Sequence, residues 1–495
     1  MSITGVSQPA SRKARNRDRS SASAAWLLPA VIAFIATAWK FNTKPLWRDE
    51  IWTLATSIRP WGAMFHHLAV DDAGLSGYYS LAHLWLSVDQ SSSWLRLPGG
   101  IAAIVGPALL GVLGRRIAGT MAGIAAGSLL TLMPVVIEHT QEARPYPLVV
   151  AALCATALLI HRYVEQPNRR ALIGWSACAA LTVLLHPLPG LPGVAALALA
   201  ALAQPGEAKR SRVIAGIAPA ATIGLIIVLV GSRQVSGEVG GAGLHDLLRL
   251  RHNYGGNPIA ILIVAALAVI GAISLRRQAR SLALVLTWAV LPTLVLWIYG
   301  VVGSLFQARY TIASAPAVAL LAGIGVAALC SVAQPRLRPA VASAVIAVAL
   351  LSQVPAFLSF RDAPFYVDDP VGAAAMIANQ AKPGDGIVYI GTTARPMFDR
   401  YLPAATRLND VLLVKPAPAG KELEGVEAPT VSLASAVESP GRIWLVGTLT
   451  GAVWTPGAHP ARVEAVEDAV EEHRTRLDHH DFGRVRVELW APDGG

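Results

Sequence analysis

The chain has 495 residues, of which 54% are hydrophobic and 15% are charged, and its mean hydropathy is +0.50. A soluble protein carries roughly 25% charged residues, so this composition excludes an ordinary soluble globular protein. Residues 1–360 hold 28 Lys and Arg against 12 Asp and Glu, whereas residues 361–495 hold 13 against 19. The basic residues lie in short loops between apolar segments and form no basic face on a soluble domain, which excludes nucleic-acid binding.

Eleven apolar segments follow one another before residue 356, and most approach the roughly 20 residues that cross about 30 Å of hydrocarbon. We therefore predict an α-helical polytopic membrane protein with about eleven transmembrane helices, in which residues 1–23 form a basic cytoplasmic tail and residues 24–355 the transmembrane domain. The segments lie near residues 24–39, 97–114, 119–137, 147–161, 171–185, 190–203, 213–231, 258–275, 281–299, 310–330 and 339–355.

The first apolar segment has two interpretations, because basic residues precede it as they precede a signal peptide. It lacks a clear small-residue cleavage site, which favours an uncleaved first helix.

Basic clusters fall in every second loop, which places those loops in the cytoplasm by the positive-inside rule. The clusters are Arg115-Arg116, Arg162 with Arg169-Arg170, Lys209-Arg210-Arg212, Arg276-Arg277-Arg280, and Arg336 with Arg338. The apolar segment at residues 77–88 is only 12 residues long, and inserting it would invert every later loop. We therefore predict that it lies along the outer membrane interface, where its Tyr and Trp residues belong.

Residues 356–495 contain short predicted strands and helices in place of long apolar segments. This alternation predicts a small extracytoplasmic α/β domain. Predicted strands lie at 387–390, 442–446 and 485–490, and predicted helices at 370–381 and 462–477. Residues 382–385 read as a turn after a helix, and the domain contains no complete nucleotide-binding motif. A lid or docking module is the favoured interpretation.

The first predicted outward loop carries the acidic pair Asp49-Glu50, framed by Trp47 and Trp52. An acid beside apolar and aromatic residues can hold an unusual pKa and act as a general base. Asp49 and Glu50 are therefore the candidate catalytic residues. The alternative is an ordinary solvated start of a loop.

Three other outward positions carry candidate substrate-binding residues. Arg144 and Arg309 lie at membrane boundaries, the second followed directly by Tyr310, and guanidinium groups offer a planar fork to phosphate oxygens. The alternative role for each arginine is binding lipid head groups. His186 precedes Pro187, where a helix cap is the alternative role. The three cysteines lack metal-ligand spacing; no cofactor is predicted with certainty, and a divalent metal stays possible.

Five stretches of the chain belong together: WRDEIWTLA, GYYSLAHLWLSV, WLRLPGGIAAIVGPALLGVLGRRIAG, MPVVIEHTQEARPYPL and QARYTIASAPAVALLAGIG. In their order along the chain they resemble the GT-C glycosyltransferases, in particular glycosyltransferase family 39 and other relatives of the protein mannosyltransferases. The resemblance covers the membrane part up to about residue 355. Where relatives often carry Pro-Pro-Leu, this chain has Ser76-Gly77-Tyr78-Tyr79.

The resemblance implies a polyprenyl-phosphate-linked sugar as donor and an extracytoplasmic active site, with Asp49 as the acid of the first outward loop. It favours mannose as the sugar and arabinofuranose next, transferred to a cell-envelope glycan, glycolipid or protein. One attacking hydroxyl and one departing phosphate imply a single displacement, so we expect inversion at the anomeric carbon. Two alternatives stay open: a transporter or flippase of lipid-linked sugars, and a non-catalytic envelope scaffold. A transporter would be expected to show internal repeats, and none is evident.

Overall fold

The computed structural model describes residues 12–493 apart from 205–206, 233, 235–240, 304–305, 392, 407, 417–424, 439–440, 451–452 and 455–459. The first eleven residues of the predicted basic tail therefore lie outside the described part of the chain. The helix that follows begins at Arg12.

Each of the eleven predicted apolar segments is helical in the structure. Two of them are interrupted at a proline: the third at Pro134, and the last before Pro355. The α-helices of this part are α1 Arg12–Ala38, α2 Arg48–Ser57, α3 Trp61–Val70, α4 Ser76–Leu86, α5 Ser92–Ala118, α6 Thr120–Leu132, α7 Pro134–Ile137, α8 Tyr146–Glu165, α9 Arg169–Leu185, α10 Pro187–Leu202, α11 Glu207–Gly231, α12 Leu244–Arg249, α13 Pro258–Ser274, α14 Ala279–Gly303, α15 Ala315–Val332, α16 Arg338–Leu351 and α17 Val354–Asp362.

Eight helical segments in the described part of the chain are long and apolar enough to cross a membrane, which makes this a multi-pass membrane protein. Two further apolar helices, α6 and α10, are shorter. Helices α11, α13 and α14 expose large apolar side chains such as Ile226, Leu262 and Val290, as expected for surfaces that face lipid.

Small residues allow the central helices to approach closely. A Cβ at Gly111 of α5 would overlap the carbonyl of Ala25 in α1, and one at Gly325 of α15 would overlap the carbonyl of Leu267 in α13. Helices in membranes commonly associate through such small residues, because packing rather than water exclusion holds them together.

The loop after α1 contains three helices, α2, α3 and α4. The sequence predicts only α4, and the predicted helix at 77–88 agrees with Ser76–Leu86. Helix α2 begins at Arg48 and carries Asp49, the candidate base, and Glu50 in its first turn. Acidic side chains in the first turn stabilise a helix, because they interact favourably with its N-terminal dipole.

The tail folds as a mixed sheet with helices. Its helices are α18 Pro370–Gln380, α19 Ala394–Tyr401, α20 Leu433–Glu438 and α21 Pro460–His473. Its strands are β1 Gly386–Ile390, β2 Asn409–Asp410, β3 Leu413–Lys415, β4 Val426–Glu427, β5 Ile443–Thr450, β6 Val453–Trp454, β7 Arg474–Phe482 and β8 Val485–Pro492. The order is β2-β1-β5-β8-β7, with β6 paired to β5 and β3 paired to β4. Strand β1 runs parallel to β2 and β5, whereas β8 runs antiparallel to β5 and β7.

The predicted helix at 462–477 is wrong at its C-terminal end, because α21 ends at His473 and β7 begins at Arg474. Residues 474–477 pair with β8, and the buried Arg474 guanidinium donates hydrogen bonds to the carbonyls of Val437 and Gly441. These long-range contacts override the local helical pattern.

One apolar core joins the tail to the membrane part. Side chains of α2 and of the segment before it, among them Leu46 and Ile51, share a buried cluster with Ile377, Ile387 and Phe398. The backbone amide of Leu46 also donates to the Tyr401 hydroxyl at 2.7 Å. The tail is therefore packed directly on the helix that carries Asp49.

Candidate active site

Asp49, Arg144 and Arg309 come from three distant parts of the chain and meet at one end of the helix bundle. Asp49 lies in the first turn of α2, Arg144 directly before α8, and Arg309 in a 3-10 helix at Ala308–Ser314 that leads into α15. Proline lies within the first two positions of both α8 and α15. Because proline suits a first helical turn and restricts the residue before it, the arginines precede sharply defined helix starts.

The carboxylate of Asp49 is surrounded by guanidinium groups. Its Oδ2 lies 3.3 Å from Nη1 of Arg309 and 3.6 Å from Nη2 of Arg144, and its Oδ1 lies 3.7 Å from Nε of Arg48. Burial would raise the pKa of Asp49, but Arg144, Arg309 and Arg48 hold that pKa below its ordinary value. The carboxylate is therefore ionised at neutral pH and able to accept a proton.

Several polar atoms around this carboxylate are buried without a hydrogen-bond partner in the described part of the chain. They are Nε of Arg144, Nε of Arg309, the hydroxyl of Tyr146 and Nδ1 of His186. Because most buried polar atoms in folded proteins are paired, a cluster of unpaired ones indicates a site for a polar ligand.

The predicted residues His186 and Tyr310 belong to the same cluster. The rings of His186 and Tyr310 meet edge to face with centroids 5.3 Å apart, and the ring of Tyr146 lies 5.6 Å from that of His186. The Arg309 guanidinium lies 5.9 Å from the centroid of the Tyr146 ring. Four of the predicted site residues, Arg144, His186, Arg309 and Tyr310, therefore lie in one aromatic and basic cluster beside Asp49.

Glu50, the second candidate for catalysis, points away from this cluster into a separate buried ion pair. Its side chain accepts from Nε and Nη2 of Arg96 at 2.7 Å and 2.6 Å, and from the backbone amide of Ala143 at 2.8 Å. Both side chains of the pair are fully buried. The geometry favours a structural role for Glu50, in which it holds α2 against α5 and against the segment that carries Arg144.

We expect the substitution Glu50→Gln to lower the free energy of unfolding by about 3–5 kcal/mol, because it leaves the Arg96 guanidinium buried without its countercharge. Thermal unfolding of the detergent-solubilised protein measures this loss. Asp362→Asn is the matched control, because it breaks the exposed ion pair of Asp362 with Lys40, and such pairs contribute at most about 1 kcal/mol. An equal effect of the two variants would contradict the structural role of Glu50.

Asp72 is an acid of this region that the sequence did not single out. Its carboxylate accepts a hydrogen bond of 2.5 Å from the Tyr79 hydroxyl, and its backbone has a left-handed conformation with φ of 65°. Burial raises the pKa of Asp72, while Arg144 acts in the opposite direction, which places Asp72 within the electrostatic reach of the arginine cluster. The signal in the sequence was the acidic pair Asp71-Asp72, which lies a few residues before the predicted interfacial helix at 77–88.

The tail also reaches the candidate site. Asp368 accepts a hydrogen bond of 3.2 Å from the backbone amide of Arg48, and the Tyr366 hydroxyl donates to the carbonyl of Gln141 at 2.8 Å. Burial raises the pKa of Asp368, with Arg48 acting against it. Among the residues that the structure describes, no three His, Cys, Asp or Glu side chains converge as metal ligands.

The region of residues 77–231 matches the family described as dolichyl-phosphate-mannose-protein mannosyltransferase. This region contains Arg144 and His186, whereas Asp49 and Arg309 lie outside it. No curated protein matches the chain as a whole or in part.

The fold is similar to that of several solved membrane proteins. ArnT from Cupriavidus metallidurans, solved in the apo state, is 14% identical with a TM-score of 0.60, over 94% of this chain and 97% of that one. The same protein was solved with undecaprenyl phosphate, at 13% identity and a TM-score of 0.60 over the same shares. The oligosaccharyltransferase AglB from Archaeoglobus fulgidus, in complex with an inhibitory peptide and a dolichol-phosphate, is 12% identical with a TM-score of 0.53, over 94% of this chain and 74% of that one. The arabinofuranosyltransferase AftD from Mycobacteria is 15% identical with a TM-score of 0.51, over 95% of this chain and 40% of that one.

Proposed function

We propose that this chain is a membrane glycosyltransferase of the GT-C superfamily and that it moves a sugar from a polyprenyl-phosphate carrier to a hydroxyl group of a cell-envelope glycan, glycolipid or protein outside the cytoplasm. The observation that carries the proposal is the contact of one ionised carboxylate, Asp49, with two guanidinium groups whose Nε atoms lack partners in the described residues. The carboxylate supplies a base and the guanidinium groups supply a phosphate site.

The proposed reaction is a single displacement at the anomeric carbon. The acceptor oxygen forms a bond to the anomeric carbon of the sugar, the bond from that carbon to the phosphate oxygen breaks, and the acceptor proton passes to Asp49. One displacement inverts the anomeric configuration.

During this step negative charge moves from Asp49 to the departing phosphate. The guanidinium groups of Arg144 and Arg309 contact Asp49 in the structure. They are therefore positioned to stabilise the negative charge that develops on the leaving phosphate oxygen. Such an interaction, stronger in the transition state than with the bound donor, accelerates the reaction.

The aromatic residues of the cluster offer hydrogen-bonding groups for the sugar. The Tyr146 hydroxyl and Nδ1 of His186 are buried and unpaired among the described residues, which fits hydrogen bonds to sugar hydroxyl groups. Mannose is the first candidate, supported by the family that residues 77–231 match, and arabinofuranose is the second, supported by the likeness to AftD.

The test is transfer of labelled sugar by the purified protein from synthetic polyprenyl-phosphate-mannose and from the arabinofuranose donor. NMR of the product should show the anomeric configuration inverted relative to the donor. The acceptor is identified by searching a deletion strain for a truncated glycan or glycolipid. Absence of transfer with every donor and acceptor, together with movement of the lipid across liposome membranes, would support a transporter instead.

Sidedness of the membrane part gives a separate prediction. The basic pairs Arg115-Arg116 and Arg169-Arg170 flank the end of α5 and the start of α9, at the end of the bundle opposite to Asp49. Reporter fusions after Arg116, Arg170 and Arg280 should therefore indicate cytoplasm, and a fusion after Arg361 should indicate the outside. A cytoplasmic signal after Arg361 would contradict both the topology and an extracytoplasmic active site.

A further inference from the structure

A cavity of about 150 Å³ lies between α8, α10 and α14, and its lining joins apolar and charged side chains. Residues 160–165 of its wall belong to the last turns of α8, whereas the active-site cluster lies at the start of that helix. With a rise of 1.5 Å per residue, the 20 residues from Tyr146 to Glu165 span about 28 Å. The cavity is therefore distinct from the candidate active site.

The cavity has room for more than a single water molecule, since one water needs only about 10–15 Å³ of such volume. Its apolar wall includes Val164 and Leu284, and its polar groups are His161, Glu165, Gln204, Arg280 and Ser281. A pocket of mixed character between helix ends suits an amphipathic ligand.

The polar side chains that line this cavity lack part of their possible hydrogen-bond and ion-pair partners among the described residues. His161 is nine-tenths buried, and its Nε2 lies 3.4 Å from the Glu165 carboxylate without a hydrogen bond among the described residues. Glu165 is half exposed at the rim, and Arg280 is exposed without a side-chain partner in the described part of the chain. One carboxylate and one guanidinium group therefore face the same opening.

We propose that this cavity binds the head group of a zwitterionic phospholipid, with the phosphate on Arg280 and the ammonium group on Glu165. Guanidinium groups bind phosphate oxygens in a planar fork, and a carboxylate accepts charge-assisted hydrogen bonds from a primary ammonium group. The apolar wall formed by Val164 and Leu284 contacts the glycerol and the first carbons of the acyl chains.

The charges of the lining distinguish this ligand from an anionic lipid. Among the residues that line the cavity, Glu165 and Arg280 carry opposite charges that cancel, whereas pockets that select anionic head groups are basic. Phosphatidylethanolamine has three N–H donors for the carboxylate, whereas phosphatidylcholine has none. The site therefore favours phosphatidylethanolamine over both phosphatidylcholine and phosphatidylglycerol.

The experiment is native mass spectrometry of the full-length protein after exchange into equimolar phosphatidylethanolamine, phosphatidylcholine and phosphatidylglycerol. Wild type should retain one phosphatidylethanolamine. Glu165→Gln and Arg280→Gln should each lower its retention on the order of tenfold, the loss of one charge-assisted hydrogen bond. Arg336→Gln is the matched control, because Arg336 is an exposed arginine at the same end of the bundle that does not line the cavity.

In a second experiment, soluble phosphoethanolamine is added to the lipid-loaded protein and the lipid that stays bound is measured. Retention of the lipid supports binding of head group and chains together, whereas its release supports recognition of the head group alone. Preference for phosphatidylglycerol, or equal retention by wild type, Glu165→Gln and Arg280→Gln, would overturn the proposal. These results do not depend on glycosyl transfer, so they test the cavity separately from the proposed function.

Discussion

Replacing Asp49 by Asn is expected to lower turnover by about 10²–10⁴-fold, the range typical of losing a general base. The amide keeps the shape of the carboxylate but accepts no proton at neutral pH. It also removes the negative charge that Arg144 and Arg309 contact in the structure. Donor binding should change little or strengthen, because the two arginines then have no competing anion.

The measurement is transfer of labelled sugar at saturating donor by equal amounts of purified wild type and Asp49→Asn. Asp89→Asn serves as the matched control, because Asp89 is an exposed acid between α4 and α5 whose hydrogen bonds are local. Wild-type turnover by Asp49→Asn would move the base elsewhere, and Asp72, held near the arginines by its bond to Tyr79, would become the next candidate.

Substitutions of Arg309 should separate binding of the donor from catalysis. Its guanidinium is about one-quarter exposed and lies 3.3 Å from Asp49, so solvent screens its charge only in part. Arg309→Lys keeps the charge but loses the planar fork. We expect Lys to retain donor binding while turnover falls about 10²–10³-fold, the loss measured when one donor to a transition-state oxyanion is removed. Arg309→Ala should lose both.

Donor affinity and turnover of wild type, Arg309→Lys and Arg309→Ala are measured separately, by equilibrium binding of the synthetic donor and by sugar transfer. Arg251→Lys is the control, since Arg251 is exposed on the segment between α12 and α13. Equal transfer by all three proteins would remove Arg309 from the site. Loss of donor binding in Lys as large as in Ala would assign the residue to binding alone.

The apolar helices and the candidate residues Asp49, Arg144 and Arg309 could be predicted from the sequence because both depend on local properties of the chain. Placing a charge in the hydrocarbon of a membrane costs free energy, so charged side chains are expected at helix ends, and this expectation does not depend on tertiary contacts. The apolar segments are likewise long enough to be recognised by themselves.

Features that depend on partners distant in sequence were not predictable in this way. Glu50 and Asp49 are adjacent and alike, and only the contact with Arg96, 46 residues away, separates their roles. Asp72 gains its significance from Tyr79 and from the arginines that the fold brings near it. The strand at Arg474 depends on pairing with β8, which outweighs the helical pattern of the preceding Glu-rich segment.

The hydrogen bond between Arg48 and Asp368 has a consequence for the order in which the protein is made. The two residues are 320 positions apart, and synthesis at about 5–20 residues per second separates them by roughly 16–64 seconds. During that interval α2 lacks the apolar partners that the tail supplies, among them Ile377 and Phe398. The packing around α2 is therefore completed only after residues 356–495 have been made and have folded. A chain terminated before residue 356 should insert into the membrane yet transfer no sugar.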